Sequence, residues 1–419
     1  MMQQPSTARG SRGLLVAVLL AQIAFGLLTM TLHLPSMQDW TQQFGAELSS
    51  VQLTFSGYAI AFGSLQLLYG PLSDRYGRRT ILYGGLLLSL AGSLLGMAAT
   101  SLPMLIGARV LQGAGTAAGM VVGRALVQDL FQGPARTRMM AYVGMVMGLC
   151  PTLSVLIGGQ LHVRLGWQAN FALVALLALL LMLATWRLLP AQAPRPDSGQ
   201  HWLRAMDEAY GQLARERRFL LYVAILALTY ATFYAYLGGS GIVLGSYGVG
   251  PQDIGWYMLF MSLSYFVGNF GTSRLIHRVG ERALMGAGQL LSLSGIGLML
   301  ALGLSGWPSP LAFALPLVLL GIGHGFLMPP ALAGTVGAIP LLAGSAAAVA
   351  GLMQQLMGAL GGYSVGLVSH QGSANLAALM LVFTTGSVVA QVALHGNSGR
   401  VAPASPHQSG PAPVSGDPP

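Results

Sequence analysis

The stretch "YGPLSDRYGRRTILYGG", Tyr69 to Gly85, sets Asp74, Arg75, Arg78 and Arg79 within six residues of a chain that is only 7% charged. Apolar runs of membrane-crossing length lie on both sides of it, so the charges mark a turn at a membrane face. Working outward, apolar windows of about 18–25 residues fall near 13–34, 47–69, 80–99, 103–126, 138–161 and 168–189. Six more fall near 219–239, 253–273, 283–304, 309–330, 343–367 and 373–395. Over the 419 residues, 54% are hydrophobic and the mean hydropathy is +0.64, far from soluble domains, which are about 25% charged. The pattern predicts an all-α membrane protein of twelve spans. The first span follows Arg9 and Arg12 as a signal peptide would, but its length and the lack of a small-residue cleavage site make it a retained helix.

The organisation is six plus six. Residues 1–189 hold one set of spans and 219–395 the other; 190–218, Pro-rich and then charged, is too polar to cross a bilayer and reads as a cytoplasmic linker. The tail, 396–419, is rich in Pro, Ser and Gly and reads as disordered. All basic residues are Arg. With the N-terminus in the cytoplasm, the even-numbered connections hold Arg75, Arg78, Arg79, Arg136, Arg138, the cluster from Arg195 to Arg218, Arg274, Arg278 and Arg282, while the odd-numbered ones hold only Arg164. This asymmetry predicts both termini in the cytoplasm, and it assigns the net charge of +9 to topology, with no nucleic-acid partner. The halves echo each other: a shift of 203 positions sets Arg75, Gly77 and Arg79 on Arg278, Gly280 and Arg282. Two related bundles imply a pseudo-two-fold axis along the membrane normal and a cavity between them.

Individual residues sharpen the picture. Gly70, Pro71 and Gly77 suit a sharp reversal after the second span. Asp74, among Arg75, Arg78 and Arg79, suits a charge latch that favours one packing of the halves, with a solvated topology anchor as the rival reading. Arg109 lies about a third of the way along the fourth span, where a charge costs about 2.5–3.5 kcal/mol; it is expected to face the bundle interior or a cavity, with Gln112 on the same face, the alternative being an arginine held by backbone carbonyls near the periplasmic surface. In the fifth span, Gly144 and Gly148 form a small ridge, Pro151 interrupts the hydrogen-bond ladder and Gly158–Gly159 loosens the far end, predicting a bend against a close-packed neighbour. One cysteine, Cys150, excludes a disulfide framework and a Cys-based metal site. No G-x-x-x-x-G-K-[ST] loop for ATP is present and no cofactor is expected.

These strings resemble a known family. "GPLSDRYGRRT" is similar to the signature loop between helices 2 and 3 of the major facilitator superfamily, and "RVLQGAGTAAG", Arg109 to Gly119, to its fourth-helix motif. "GRALVQDLF", Gly123 to Phe131, "GWQANF", and "AGSAAAVAGLMQQLMGALGG", Ala343 to Gly362, resemble the Bcr/CflA branch of drug:proton antiporters. The resemblance implies the major facilitator fold, a part for Arg109 in proton coupling, and, through "GMVMGLCPTLSVLIGG", the antiporter motif of exporters. Two departures stand out: Val155 replaces a second proline, and "TLHLP" puts Thr31 where the branch carries an aspartate and His33 where it carries a tyrosine. With no acid in mid-span, the groups best placed to carry a proton are His33, Asp39 and His324. Tyr58, Phe62, Tyr230, Phe233, Tyr234 and Gln354, with Gln112, are expected to line the cavity, a surface suited to amphipathic molecules.

The function expected is therefore export of a small organic molecule across a bacterial inner membrane by proton antiport, the substrate being a phenicol- or bicyclomycin-like drug or a secreted metabolite such as a siderophore. The partners are that substrate, protons and lipid, and the chain reads as a monomer. The rivals are a proton-coupled importer and a non-transporting membrane sensor. A membrane enzyme would need an Asp-rich metal motif or an acid–histidine pair at the interface, and neither occurs.

Overall fold

The computed structural model describes residues 9–189, 202–369 and 372–396. The first part of the expected linker and the expected disordered tail beyond Gly396 lie outside the described residues, as does the side chain of Asp74. Among the described residues there is no strand. The first half comprises α1 (Arg9–Thr31), a short α2 (Met37–Gln43), α3 (Leu48–Tyr76), α4 (Arg78–Met97), α5 (Leu102–Leu130), α6 (Gly133–Leu165) and α7 (Gln168–Leu188). The linker contributes α8 (Trp202–Arg215). The second half comprises α9 (Arg217–Ser246), α10 (Ile254–Val279), α11 (Glu281–Leu304), a short α12 (Pro310–Ala314), α13 (Pro316–Ala338), α14 (Ala343–Val365) and α15 (Ala374–Gly396). Helices prevail because lipid offers no partner to a peptide group, and a helix satisfies its own.

Ten long segments are apolar enough to cross a membrane by length and composition. The two long helices outside that set are α10 and α14, which carry Ser262, Ser264 and Asn269, and Gln354 and Gln355. Both pack across the molecule, α14 on α3 and α10 on α6, so their polar side chains meet protein and cavity. The twelve long helices form two six-helix bundles related by pseudo-symmetry. In the first, α5 packs on α4, α3 and α1, and α4 on α7; in the second, α13 packs on α11, α10 and α9, and α11 on α15.

The 203-residue repeat is visible in the backbone. Gly77 has φ +90° and Gly280 φ +80°, each the single residue between two long helices, in a region that favours glycine. The reversal expected at Gly70, Pro71 and Gly77 belongs to Gly77 alone. Helix α3 runs through Gly70 and Pro71 to Tyr76, continuing past its apolar window into its polar end. Pseudo-symmetry also governs close packing. A Cβ on Gly85 would lie 2.5 Å from the carbonyl oxygen of Gly115, and one on Gly288 would lie 2.7 Å from that of Gly323. Gly113 meets the carbonyl of Tyr58 just as Gly321 meets that of Met261. Small residues here bring backbones into contact where lipid supplies no hydrophobic drive. The linker helix α8 docks on the second bundle through Leu213, buried among Phe219, Val223, Ala346 and Ala350.

In purified protein, Gly288→Ala is expected to lower stability by about 1–3 kcal/mol, an overpacking cost. Gly297→Ala, whose Cβ meets nothing within 4 Å, should be neutral or stabilising by up to about 1 kcal/mol, the helix-propensity gain. Thermal unfolding in detergent reads both, and equal melting of the two variants would contradict the packing.

Candidate functional site

Between the bundles lies a cavity of about 590 Å³, within the size range of small-molecule sites. Its walls come from α1, α5 and α6 on one side and from α9, α10, α13 and α14 on the other. Of the residues expected there, Tyr230, Phe233, Tyr234 and Gln354 line it, as does His324. Tyr58, Phe62 and Gln112 are not among the lining residues. They sit within the first bundle: Tyr58 Oη donates to Gly26 O at 2.7 Å, and Gln112 Nε2 donates to Ser93 Oγ at 2.8 Å, which turns them inward. Much of the wall is methionine, with Met30, Met147, Met258, Met261 and Met328 contributing. Such side chains adapt to irregular apolar shapes.

Helix α6 reaches the cavity with Gly144, Gly148 and Pro151. It runs continuously from Gly133 to Leu165 through that proline. The close packing expected at Gly144 and Gly148 is found instead at Gly158 and Gly159, which abut the carbonyls of Leu32 and Pro251. Nothing lies within 4 Å of a Cβ on Gly144, and only Tyr265, at 3.9 Å, near one on Gly148, because the space beside them is the cavity.

Arg109 is 1% exposed and belongs to a separate polar cluster inside the first bundle. Its Nη1 donates to Thr29 O at 2.9 Å and to Gln112 Oε1 at 2.8 Å, and its Nη2 donates to Met30 O at 3.0 Å. The guanidinium also sits over the Tyr58 ring, 4.5 Å from its centroid, an arrangement that stabilises a desolvated cation. Arg109 is thus held by backbone carbonyls, as in the alternative reading, while its side chain is buried inside the first bundle. The carbonyls belong to the last turn of α1, where such groups lack helical partners. His33 joins the cluster. Its Nδ1 lies 3.3 Å from Arg109 Nη1 and 3.2 Å from Thr29 O, its ring packs 4.1 Å from that of Phe171, and its Nε2 is buried without a partner among the described residues. Asp39 lies apart, on α2, where its Oδ2 is 2.8 Å from His162 Nε2 on α6.

At the opposite end, the charged loop ties helices within the first bundle. Arg78 Nε donates to Asp129 Oδ2 at 3.3 Å and its Nη1 to Ser73 Oγ at 2.5 Å, which joins the ends of α3, α4 and α5. Arg79 Nη2 donates to Trp186 O at 3.1 Å, reaching α7. Arg75 stacks toward Tyr76. Asp129 was not singled out from the sequence, although its position at the end of "GRALVQDLF" offered the signal.

Contacts between the bundles concentrate on the α2 side and at mid-depth. Gln52 Nε2 donates to Gly238 O at 3.1 Å, Ser56 Oγ to Ala359 O at 2.9 Å and Gln160 Nε2 to Gln252 O at 3.5 Å. Gln38 Nε2 bonds Gly241 O, and Thr152 bonds Ser262. The exposed lining residues Gly144, Met145, Phe266, Phe270 and Leu332 lie toward the other end, near the charged loop and linker. The cavity is therefore sealed on the α2 side.

Residues 14–362 match the family described as Major Facilitator Superfamily. Among curated proteins, the chloramphenicol resistance protein of Pseudomonas aeruginosa is 28% identical over 343 residues, covering 80% of this chain and 80% of that protein. Multidrug resistance protein D of Escherichia coli (strain K12) is 28% identical over 372 residues, covering 87% and 92%. Among solved structures, the peptide transporter POT in complex with alafosfalin aligns with a TM-score of 0.75 at 15% identity, covering 93% of this chain and 94% of that one, a likeness of fold. With its twin bundles and central cavity, the chain belongs to the Major Facilitator Superfamily and is a multi-pass membrane transporter.

Proposed function

We propose that this transporter exports a small amphipathic organic molecule across the bacterial inner membrane by proton antiport and alternating access, with both termini cytoplasmic. The observation that carries the reading is the central cavity, apolar and methionine-rich, sealed on the α2 side and bordered at its other end by the arginine-bearing loops. By the distribution of arginines that end is cytoplasmic, so the cavity is placed to load from inside. The resistance proteins to which the chain is similar favour a drug-like cargo, and a secreted metabolite of similar size and polarity fits the same wall. An entering proton gains about 2.3 kcal/mol per 100 mV of membrane potential, enough to drive accumulation outside.

Coupling is assigned to the Arg109–His33 cluster. Unprotonated at Nδ1, His33 accepts from Arg109; with a proton there, it can donate to Thr29 O but no longer accept from the arginine. Either state changes how Arg109 grips the carbonyls of Thr29 and Met30. Met30 and Thr31 line the cavity, so a proton on His33 alters the piece of α1 that the cargo touches. His324, buried at the cavity wall, offers a second place for a proton within reach of cargo.

In liposomes holding the purified protein, substrate-driven proton movement should fall by at least about tenfold, or 1.4 kcal/mol, in Arg109→Ala. His33→Asn should uncouple it, leaving cargo exchange without proton movement. Unchanged proton flux in both variants would remove the cluster from the mechanism. In cells, overexpression should lower accumulation of phenicol- and bicyclomycin-type compounds or of an endogenous siderophore relative to cells lacking the gene. Higher accumulation on overexpression would establish import.

A further inference from the structure

Arg124, on α5 near its linker-side end, lines the central cavity. Its one hydrogen-bond acceptor among the described residues is a thioether, Met147 Sδ, 3.1 Å from Nη2. A guanidinium carries five N–H donors in a fixed fork, and sulfur is a weak acceptor, so among the described residues most of this donor capacity is unused. No Asp or Glu appears among the lining residues; His324 is the other nitrogen base there, and no carboxylate offsets the charge. The fully buried arginine of the same helix shows the contrast: Arg109 has carbonyl, amide and ring partners. A cation kept in a largely apolar chamber costs free energy unless something pairs with it; Tyr230 lies near it in the wall, but a neutral phenol does not cancel the charge and no carboxylate is there to do so.

We propose that Arg124 is the recognition point for an anionic group on the cargo, so that the preferred substrates are amphipathic organic anions or zwitterions. A carboxylate or similar delocalised anion docks on the guanidinium fork, and the apolar body lies against Tyr230, Phe233 and the methionines. The inference rests on the transport reading for its physiological meaning, yet it is a statement about binding and stands or falls by itself. A lipid phosphate entering at the exposed rim shares this chemistry, and the experiment separates the two.

The test is equilibrium binding to the full-length protein in phosphatidylcholine nanodiscs, using 2-naphthylacetate, its neutral amide and the corresponding 2-naphthylethylamine cation. The carboxylate should bind at least about tenfold more tightly than the amide, and the amine more weakly still. Arg124→Gln should erase the carboxylate preference while leaving amide affinity within about twofold, and Arg124→Lys should retain part of it. Should the glutamine variant not fold, the three-probe comparison on the unaltered protein decides by itself. Equal affinity for carboxylate and amide, tightest binding of the amine, an intact preference in Arg124→Gln, or no binding of any probe would each overturn the proposal. Loss of carboxylate binding on adding phosphatidylglycerol would assign the arginine to lipid and overturn it as well. Carboxylate preference without vesicle flux would refute the transport reading and leave this one standing.

Discussion

The structure depends on backbone-to-backbone approach at glycine. Where Gly85 meets Gly115 and Gly288 meets Gly323, two helices touch through their main chains, with no side chain between them to adjust. Contacts of this kind resist deformation because close-packed interfaces do not yield continuously. They hold α4 on α5 and α11 on α13, within each half. Across the halves the character changes: Gln52, Ser56 and Gln160 reach to carbonyls of the other bundle through flexible side chains. Stiff units joined by exchangeable bonds are the mechanical condition for one bundle to rock against the other. The interface is not uniformly soft: on the α2 side Gly159 lies against the carbonyl of Pro251 and Gly366 against the backbone of Ser49, while Gly362 meets the ring of Phe55 across the divide. Side-chain rings can slide where backbones cannot.

Two arginines in α5 illustrate how one helix divides two tasks. Arg109 is consumed by the end of α1 and by His33, fully paired and away from the cargo chamber. Arg124, fifteen residues on along the same helix, faces the chamber with a thioether as its one hydrogen-bond acceptor among the described residues. A charge that is completely satisfied can report a nearby proton by changing partners; a charge left unsatisfied can recognise a ligand. In the proposed mechanism helix α5 carries the coupling cluster toward the sealed end and a binding group toward the other end, with Thr29 to Thr31 of α1 linking the cluster to the wall.

Much of this was legible in the sequence. Span number, the six-plus-six organisation and the 203-residue echo followed from hydropathy and from Gly77 and Gly280, because membrane length and helix reversal leave plain marks. The depth of Arg109 likewise foretold burial. What sequence could not give was azimuth. Tyr58 and Gln112 are expected in the cavity wall because their spans are expected to face the centre, but α3 contributes no lining residue and both side chains bond within the first bundle. The same uncertainty hid Arg124, whose position near a span end reads as ordinary snorkelling. It also hid Asp129, whose partner Arg78 lies on another helix. In α6, small residues announced close approach, yet four candidate glycines served two opposite purposes: Gly158 and Gly159 admit a neighbour, while Gly144 and Gly148 leave space for cargo.

The central claim is that the bundles move as units about the cavity, and the most direct measurement is a pair of spin-label distances in a Cys150→Ser background. One pair, Tyr142→Cys with Leu275→Cys, spans α6 and α10 at the loading end. The other, Leu87→Cys with Leu176→Cys, lies within the first half on α4 and α7. The account predicts that the cross-bundle distance is distributed over two populations whose ratio changes with pH and added cargo, while the within-bundle distance stays single and constant. A within-bundle distance that shifts under the same conditions, or a cross-bundle distance that never does, would contradict it.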